Sequence, residues 1–250
     1  MTKTMDIIIS SATHRSGSTL VQRIFNLRKE TLIWGEQDGL LTDFYRINKK
    51  LMHYSVDLRQ QRLNYFNHNE DPNHWIACMN PEEHYVEKAT IESIKVFLST
   101  LYQQYSQNHD RIGFKEVRYG EKELSLFRAC YPDAKIVLLV RNPIHVWQSM
   151  LGAGLGHNIE RFTKKWEKHA SEYLELQKND PNAYLIKYED IVNNDPKTIE
   201  TLCQLGDLSP EEISTVTSRK ISSTPRELTE EHKNIILENC GEVMKKYHYI

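Results

Sequence analysis

Residues 5–25 read MDIIISSATHRSGSTLVQRIF, and the order of residue types along them decides the fold. MDIII (residues 5–9) is a short apolar, β-branched run of the kind that forms a buried strand. Leu20, Val21, Ile24 and Phe25 then recur at the spacing of one helical face. Between them lies a loop of small hydroxylated residues with one glycine and one cation. A helix N-terminus presents free N–H groups and a partial positive charge, so anions settle there. Ser16, Gly17, Ser18 and Thr19 let the backbone curl closely round such an anion, and Arg15 adds a permanently charged fork. The stretch reads as a phosphate or sulfate cradle. It differs from a nucleotide-binding Walker loop, which ends in Gly-Lys-Ser/Thr; here Ser18 follows Gly17, and the cation stands two residues before the glycine.

Working outward, the 250 residues suffice for one sizeable core, and no repeat or low-complexity linker divides them. The net charge of −2, with no basic stripe, argues against nucleic acid as a partner. Four scattered cysteines and eleven scattered histidines show no metal-ligand spacing, so no metal site is expected. No apolar run reaches membrane-span length, and the chain enters a strand almost at once without room for a signal peptide. These features point to a cytoplasmic protein with no membrane partner; a homodimer is compatible with them.

TLIW (31–34) reads as a second strand that empties into Gly35-Glu36-Gln37-Asp38-Gly39. Residues 38–61 have a helical pattern, and 63–81, rich in Asn, Pro and aromatics, read as a loop or lid. Pro81 is placed to start a helix running to about residue 105. RIGFKEVRYG (111–120) is a strand with Lys115, Glu116 and Arg118 crowded at its end; on residues alone it is equally a crevice edge or a salt-bridged surface. KIVLLVRNPIHVWQSM (135–150) holds a strand apolar on both faces, then Arg141 and Asn142, then a helix opened by Pro143. Ser149 lies eight residues beyond Arg141, a little over two helical turns. The partner of Arg141 is an anion shared with Ser149 or a helix carboxylate such as Glu189. Helix 159–178, strand 183–188, a short helix from Pro196, a polar turn at 221–225 and a closing helix over 228–247 complete the chain. Strands alternating with helices predict an α/β fold, a doubly wound parallel sheet flanked by helices.

Taken together, the strand–RSGST–helix loop and the IVLLVRNP…S block resemble the two cofactor signatures of PAPS-dependent sulfotransferases, where PAPS is 3′-phosphoadenosine 5′-phosphosulfate. GFKEVRY (113–119), IKYEDIVNNDP (186–196) and LTEEHKNIILENC (228–240) are similar to later parts of bacterial members, so the resemblance spans nearly the whole chain. It implies a single P-loop-like sulfotransferase domain over 1–250, with 38–81 an acceptor-site insertion or lid. By it, Arg15, Ser16, Gly17, Ser18 and Thr19 take the 5′-phosphosulfate, and Arg141 and Ser149 take the 3′-phosphate. The loop Arg and the Gly-Glu pair are similar to the tyrosylprotein sulfotransferase branch. That likeness makes Glu36 the general base and Lys115 a catalytic lysine, and lays Tyr188 and Ser222 or Ser223 against the nucleotide. Asn142 stands where the second motif usually has Asp. The Lys-Thr-His string and the Arg-Lys-Gly-x-x-Gly loop of the phenol and steroid enzymes are missing.

Sulfuryl transfer needs in-line positioning and positive charge where the leaving oxygen becomes anionic. Arg15, the amides after it and Lys115 can supply that charge without a metal, and a carboxylate can take the acceptor's proton. Glu36 is the first choice and Asp38 the second, while His14 is expected to turn away from the cofactor. A small hydroxylated metabolite, such as a bacterial natural product, is the expected acceptor, with an amine in place of the hydroxyl as the alternative and PAP as the spent cofactor. The competing readings are a P-loop kinase, which would want Lys after Gly17, and a nucleotide-binding module without turnover.

Overall fold

A computed structural model describes residues 5–219 and 226–250 and shows five parallel strands between two layers of helices. The strands are β1 (Ile7–Ser11), β2 (Thr31–Trp34), β3 (Arg111–Glu116), β4 (Lys135–Val140) and β5 (Ala183–Lys187), in the spatial order β2-β3-β1-β4-β5. The helices begin with α1 (Ser18–Phe25), α2 (Leu40–Asp57), α3 (Arg59–Asn67), α4 (Glu83–Leu101), α5 (Glu121–Cys130) and α6 (Pro143–Gly152). They continue with α7 (Ile159–Asn179), α8 (Tyr188–Val192), α9 (Pro196–Gly206), α10 (Pro210–Thr217) and α11 (Glu230–Lys246).

Strand alternation sorts the apolar residues into two cores. Ile8, Phe114, Ile136, Leu138 and Val140 meet side chains of α4, α5, α6, α7 and α11. Ile7, Ile9, Ile33, Val137 and Leu139 meet α1, α9 and α10. Each fully buried aliphatic side chain is worth about 1.5–3 kcal/mol, which is why β4 stays apolar on both faces until Arg141. The central β1 places Ile7 opposite Gly113 on one side and Lys135 on the other. All five strands therefore point their C-terminal ends to one edge, where ligand crevices of such sheets lie.

Several local expectations shift. The first strand runs two residues later than MDIII, because Ser10 and Ser11 pair with Leu138 and Leu139. The long helix over 38–61 is interrupted at Leu58, and the expected loop at 63–81 begins inside α3. That helix lacks an apolar stripe. It is held by buried Arg62, whose Nη1 donates to the carbonyls of Ser55 and Asn80, both at 3.0 Å. Pro81 lies outside α4, which starts at Glu83. α10, opened by a Ser209/Glu212 capping box, is an additional helix beyond those expected from the sequence. The polar turn at 221–225, and with it Ser222 and Ser223, lies outside the described residues. Among the described residues no helix is long and apolar enough to cross a membrane, and no cluster of His, Cys, Asp or Glu is placed to hold a metal ion.

Candidate active site

The segment joining β1 to α1 folds back on itself. Ser11 Oγ donates to the Thr13 carbonyl (3.1 Å), and the Thr13 and Ser16 hydroxyls lie 3.2 Å apart. Arg15 (φ 66°) and Gly17 (φ 97°) both adopt the left-handed backbone, a conformation that lets neighbouring N–H groups converge on one anion. Gly17 is required for a second reason, since a Cβ there would sit 2.3 Å from Cδ2 of Tyr188. Ser16 and Ser18 are buried, whereas Arg15 and Thr19 are exposed.

Arg141, directly after β4, donates from Nη1 to the Arg15 carbonyl at 3.0 Å. Its guanidinium lies 4.3 Å from the centroid of the Tyr188 ring. Arg15 in turn donates from Nε to Ser149 Oγ of α6 at 3.0 Å. Two cations, a hydroxyl and an aromatic ring from four separate segments thus meet beside the N-terminus of α1. Tyr188 reaches this place as the first residue of α8 rather than the last of a strand. Burial lowers the pKa of Arg141, and its Nε is buried with no hydrogen-bond partner. Glu189 does not pair with it. Its carboxylate accepts from the Asn142 amide (3.0 Å) and the Tyr249 hydroxyl (3.1 Å) and lies 3.7 Å from His145 Nδ1. Asn142 caps α6, its side chain accepting from the Ile144 amide at 3.0 Å.

α7 forms the floor. Trp166 Nε1 donates to the Arg141 carbonyl (2.9 Å), His169 Nδ1 lies 2.9 Å from the Ala12 carbonyl, and the Tyr173 hydroxyl donates to the Tyr119 carbonyl (2.9 Å). One helical face therefore touches the chain just past β4, β1 and β3 in turn.

Across the crevice, the tip of β3 grips the Gly35–Gly39 loop residue by residue. Lys115 Nζ is ion-paired with Glu36 Oε1, and Arg118 with Asp38. Glu116, fully buried, accepts from the amides of Gln37 (3.3 Å) and Gly39 (3.0 Å) on one oxygen and Val117 (2.8 Å) on the other. Tyr119 Oη accepts from the Leu41 amide at 3.0 Å. Glu36 is thus paired with a nearby cation, and that cation is Lys115. Glu116 and Tyr119 carried no assigned role in the sequence. Their signal was the pairing of two charged runs, GEQDG and KEVRY, at the ends of successive strands. His14 is half-buried on this side: burial lowers its pKa, opposed by Glu36 and reinforced by Arg118 and Lys165. It does not join Arg141 and Ser149.

Comparison with solved structures gives the same fold at low identity. The sulfotransferase domain of the olefin synthase from Synechococcus PCC 7002 superposes with a TM-score of 0.51 at 14% identity, covering 95% of each chain. Sulfotransferase STF9 from Mycobacterium avium superposes with a TM-score of 0.52 at 12% identity, over 98% of this chain and 76% of the other. No curated protein sequence matches. The sequence profile of the sulfotransferase family matches residues 7–212, from the first residue of β1 into α10. With that match running over most of the chain, the chain belongs to the sulfotransferase family.

Proposed function

We propose that the protein transfers a sulfuryl group from PAPS to a hydroxyl of a small-molecule acceptor, with a carboxylate as general base. The carrying observation is the convergence of Arg15, Arg141 and Ser149 from three segments at the N-terminus of α1. The residues fit the cofactor's chemistry. Gly17 lets the Tyr188 ring pack directly on the loop, and Arg141 holds a buried, unpartnered Nε beside that aromatic face. Bound there, PAPS would supply the activated sulfuryl group. Ser16, Ser18, Thr19 and the left-handed turn would hold its 5′-phosphosulfate, Arg141 and Ser149 its 3′-phosphate, and Tyr188 its nucleoside.

Arg15 and Lys115 place two fixed positive charges where a leaving oxygen would turn anionic, a job that then needs no metal. Glu36, a third exposed on its side chain, is open to an incoming hydroxyl while its other contact is Lys115. When an anion engages Lys115, the Glu36 carboxylate is released to accept a proton. Glu116 fixes the backbone that carries Glu36, and α3 with the segment after it frames the acceptor side as a lid.

The test is thermal unfolding with ligands. A ligand that binds only the folded state at a hundred times its Kd stabilises by about 2.7 kcal/mol. PAP should raise the Tm, and ATP with Mg²⁺ far less. A shift from ATP alone would overturn the reading. Mass spectrometry with PAPS and alcohol acceptors, with and without EDTA, should show sulfated product in both cases.

A further inference from the structure

One cation on the crevice floor is unused by the chemistry above. Lys165 lies on α7 one turn before His169, whose ring touches the Ala12 carbonyl, and beside Trp166, which touches the Arg141 carbonyl. Its side chain therefore runs over the chain as it leaves β1 toward His14. Lys165 is half-buried and, among the described residues, has no ion-pair or hydrogen-bond partner. Arg161, one turn earlier on the same face, also has no carboxylate partner for its side chain. Arg118, at the tip of β3, is the third cation and is neutralised by Asp38. The nearby carboxylates are committed: Glu116 to three backbone amides, Glu123 to the Gly120 amide and Thr42, and Glu36 to Lys115.

Resting on the sulfotransferase reading of this site, we propose that the acceptor carries a compact oxyanion, a carboxylate or phosphate, bound by Lys165 with Arg161 and Arg118 beside the Glu36 base. A half-buried ammonium among other cations is costly unless an anion joins it. Burial, then the charges of Arg118 and Arg161, lower the Lys165 pKa, and Glu116 and Glu123, both committed elsewhere, oppose them. An anionic acceptor must approach a cofactor that is itself polyanionic, so it needs cations of its own, separate from Arg15 and Arg141. Lys165 stands on the His14 and Arg118 side of the crevice, away from Tyr188 and Ser149, which gives that separation.

Calorimetry on the enzyme–PAP complex with primary alcohols in matched pairs, one carboxylate and one carboxamide, tests this. The carboxylate member should bind about tenfold or more tightly, as one charge-assisted contact provides. Lys165→Gln should erase that preference while PAP affinity stays within a few-fold of wild type. Lys165→Glu should turn it round, favouring alcohols that bear an ammonium. Equal binding of both members to the wild type, or a preference kept in both variants, would overturn the proposal. So would a Lys165→Gln protein that loses PAP affinity by the same factor, since the lysine would then serve the cofactor. The underlying reading is judged apart, by PAP binding to the wild type. If PAP does not bind, that reading falls and the acceptor proposal falls with it.

Discussion

On the β4 side of the crevice the loop after β1 is fixed by backbone geometry. A left-handed Gly17 lies against Tyr188, and Arg141 and Trp166 are tied to main-chain carbonyls. On the β3 side the loop after β2 is held by charged side chains, with Lys115, Glu116 and Arg118 each reaching across to one or two of its residues. Backbone turns of the first kind are rigid and already shaped. Of these, the exposed Arg118–Asp38 pair can be exchanged for a ligand at little cost, because such a pair contributes only about 0–1 kcal/mol. A wall fixed by backbone geometry thus faces one held by side-chain charges.

The sharpest way to break this division is at Glu36. Glu36→Gln keeps the shape but cannot accept a proton, so turnover of an alcohol should fall about 10²–10⁴-fold with PAP affinity nearly unchanged. A phenol already ionised at the assay pH should be spared much of the loss. Turnover across phenols of graded pKa checks both, and loss of PAP binding in step with activity would move the base to Asp38. Lys115→Ala should lower turnover about 10²–10³-fold for every acceptor alike, as the proposed role at the leaving-group side requires. The same phenol series would show a uniform drop.

Arg141→Ala probes the other wall. Removing a charge-assisted contact of about 1.5–3 kcal/mol should weaken PAP roughly ten- to a hundredfold and hardly touch a 3′-dephospho analogue, as calorimetry would show. Equal losses would mean that Arg141 does not meet the 3′-phosphate.

The smallest effect concerns the floor shared by both walls. Burial holds His169 and His14 below the ordinary imidazole pKa of 6.5. The unfolded chain then binds more protons than the folded one as pH falls below about 6.5. Their contribution to stability is full above that value and is lost on acidification, so the Tm should decline as the pH falls below about 6.5. His169→Gln should flatten part of that slope.

Legibility in the sequence follows the same division. The turn after β1 and the cap of α6 are legible because SSATHRSGST and RNP each sit at a strand-to-helix junction, where a contiguous string dictates the local geometry. Tyr188 was named, but its helix was missed because AYLIKY carries its strand-like pattern one residue past the end of β5. The β3 side of the crevice is legible only in its residue types. Glu116 meets Gly39 and Gln37 across 77 and 79 positions, and nothing local says which carboxylate finds which amide. α3 is hidden for a related reason: its buried residue is Arg62, whose partners, the Ser55 and Asn80 carbonyls and Glu83, only the fold brings near.

The central place of β1 also carries a consequence for the order in which the molecule forms. Ile7 pairs with Gly113 and with Lys135, partners more than a hundred positions along the chain. Neither wall can exist until those distant strands have closed on it, and such non-local closure is the slow part of folding. During synthesis the first loop emerges early and waits until β4 has followed, so an incomplete chain has no half-built site. Recovery of PAP binding after dilution from denaturant would therefore time the last large step of folding, not an early one.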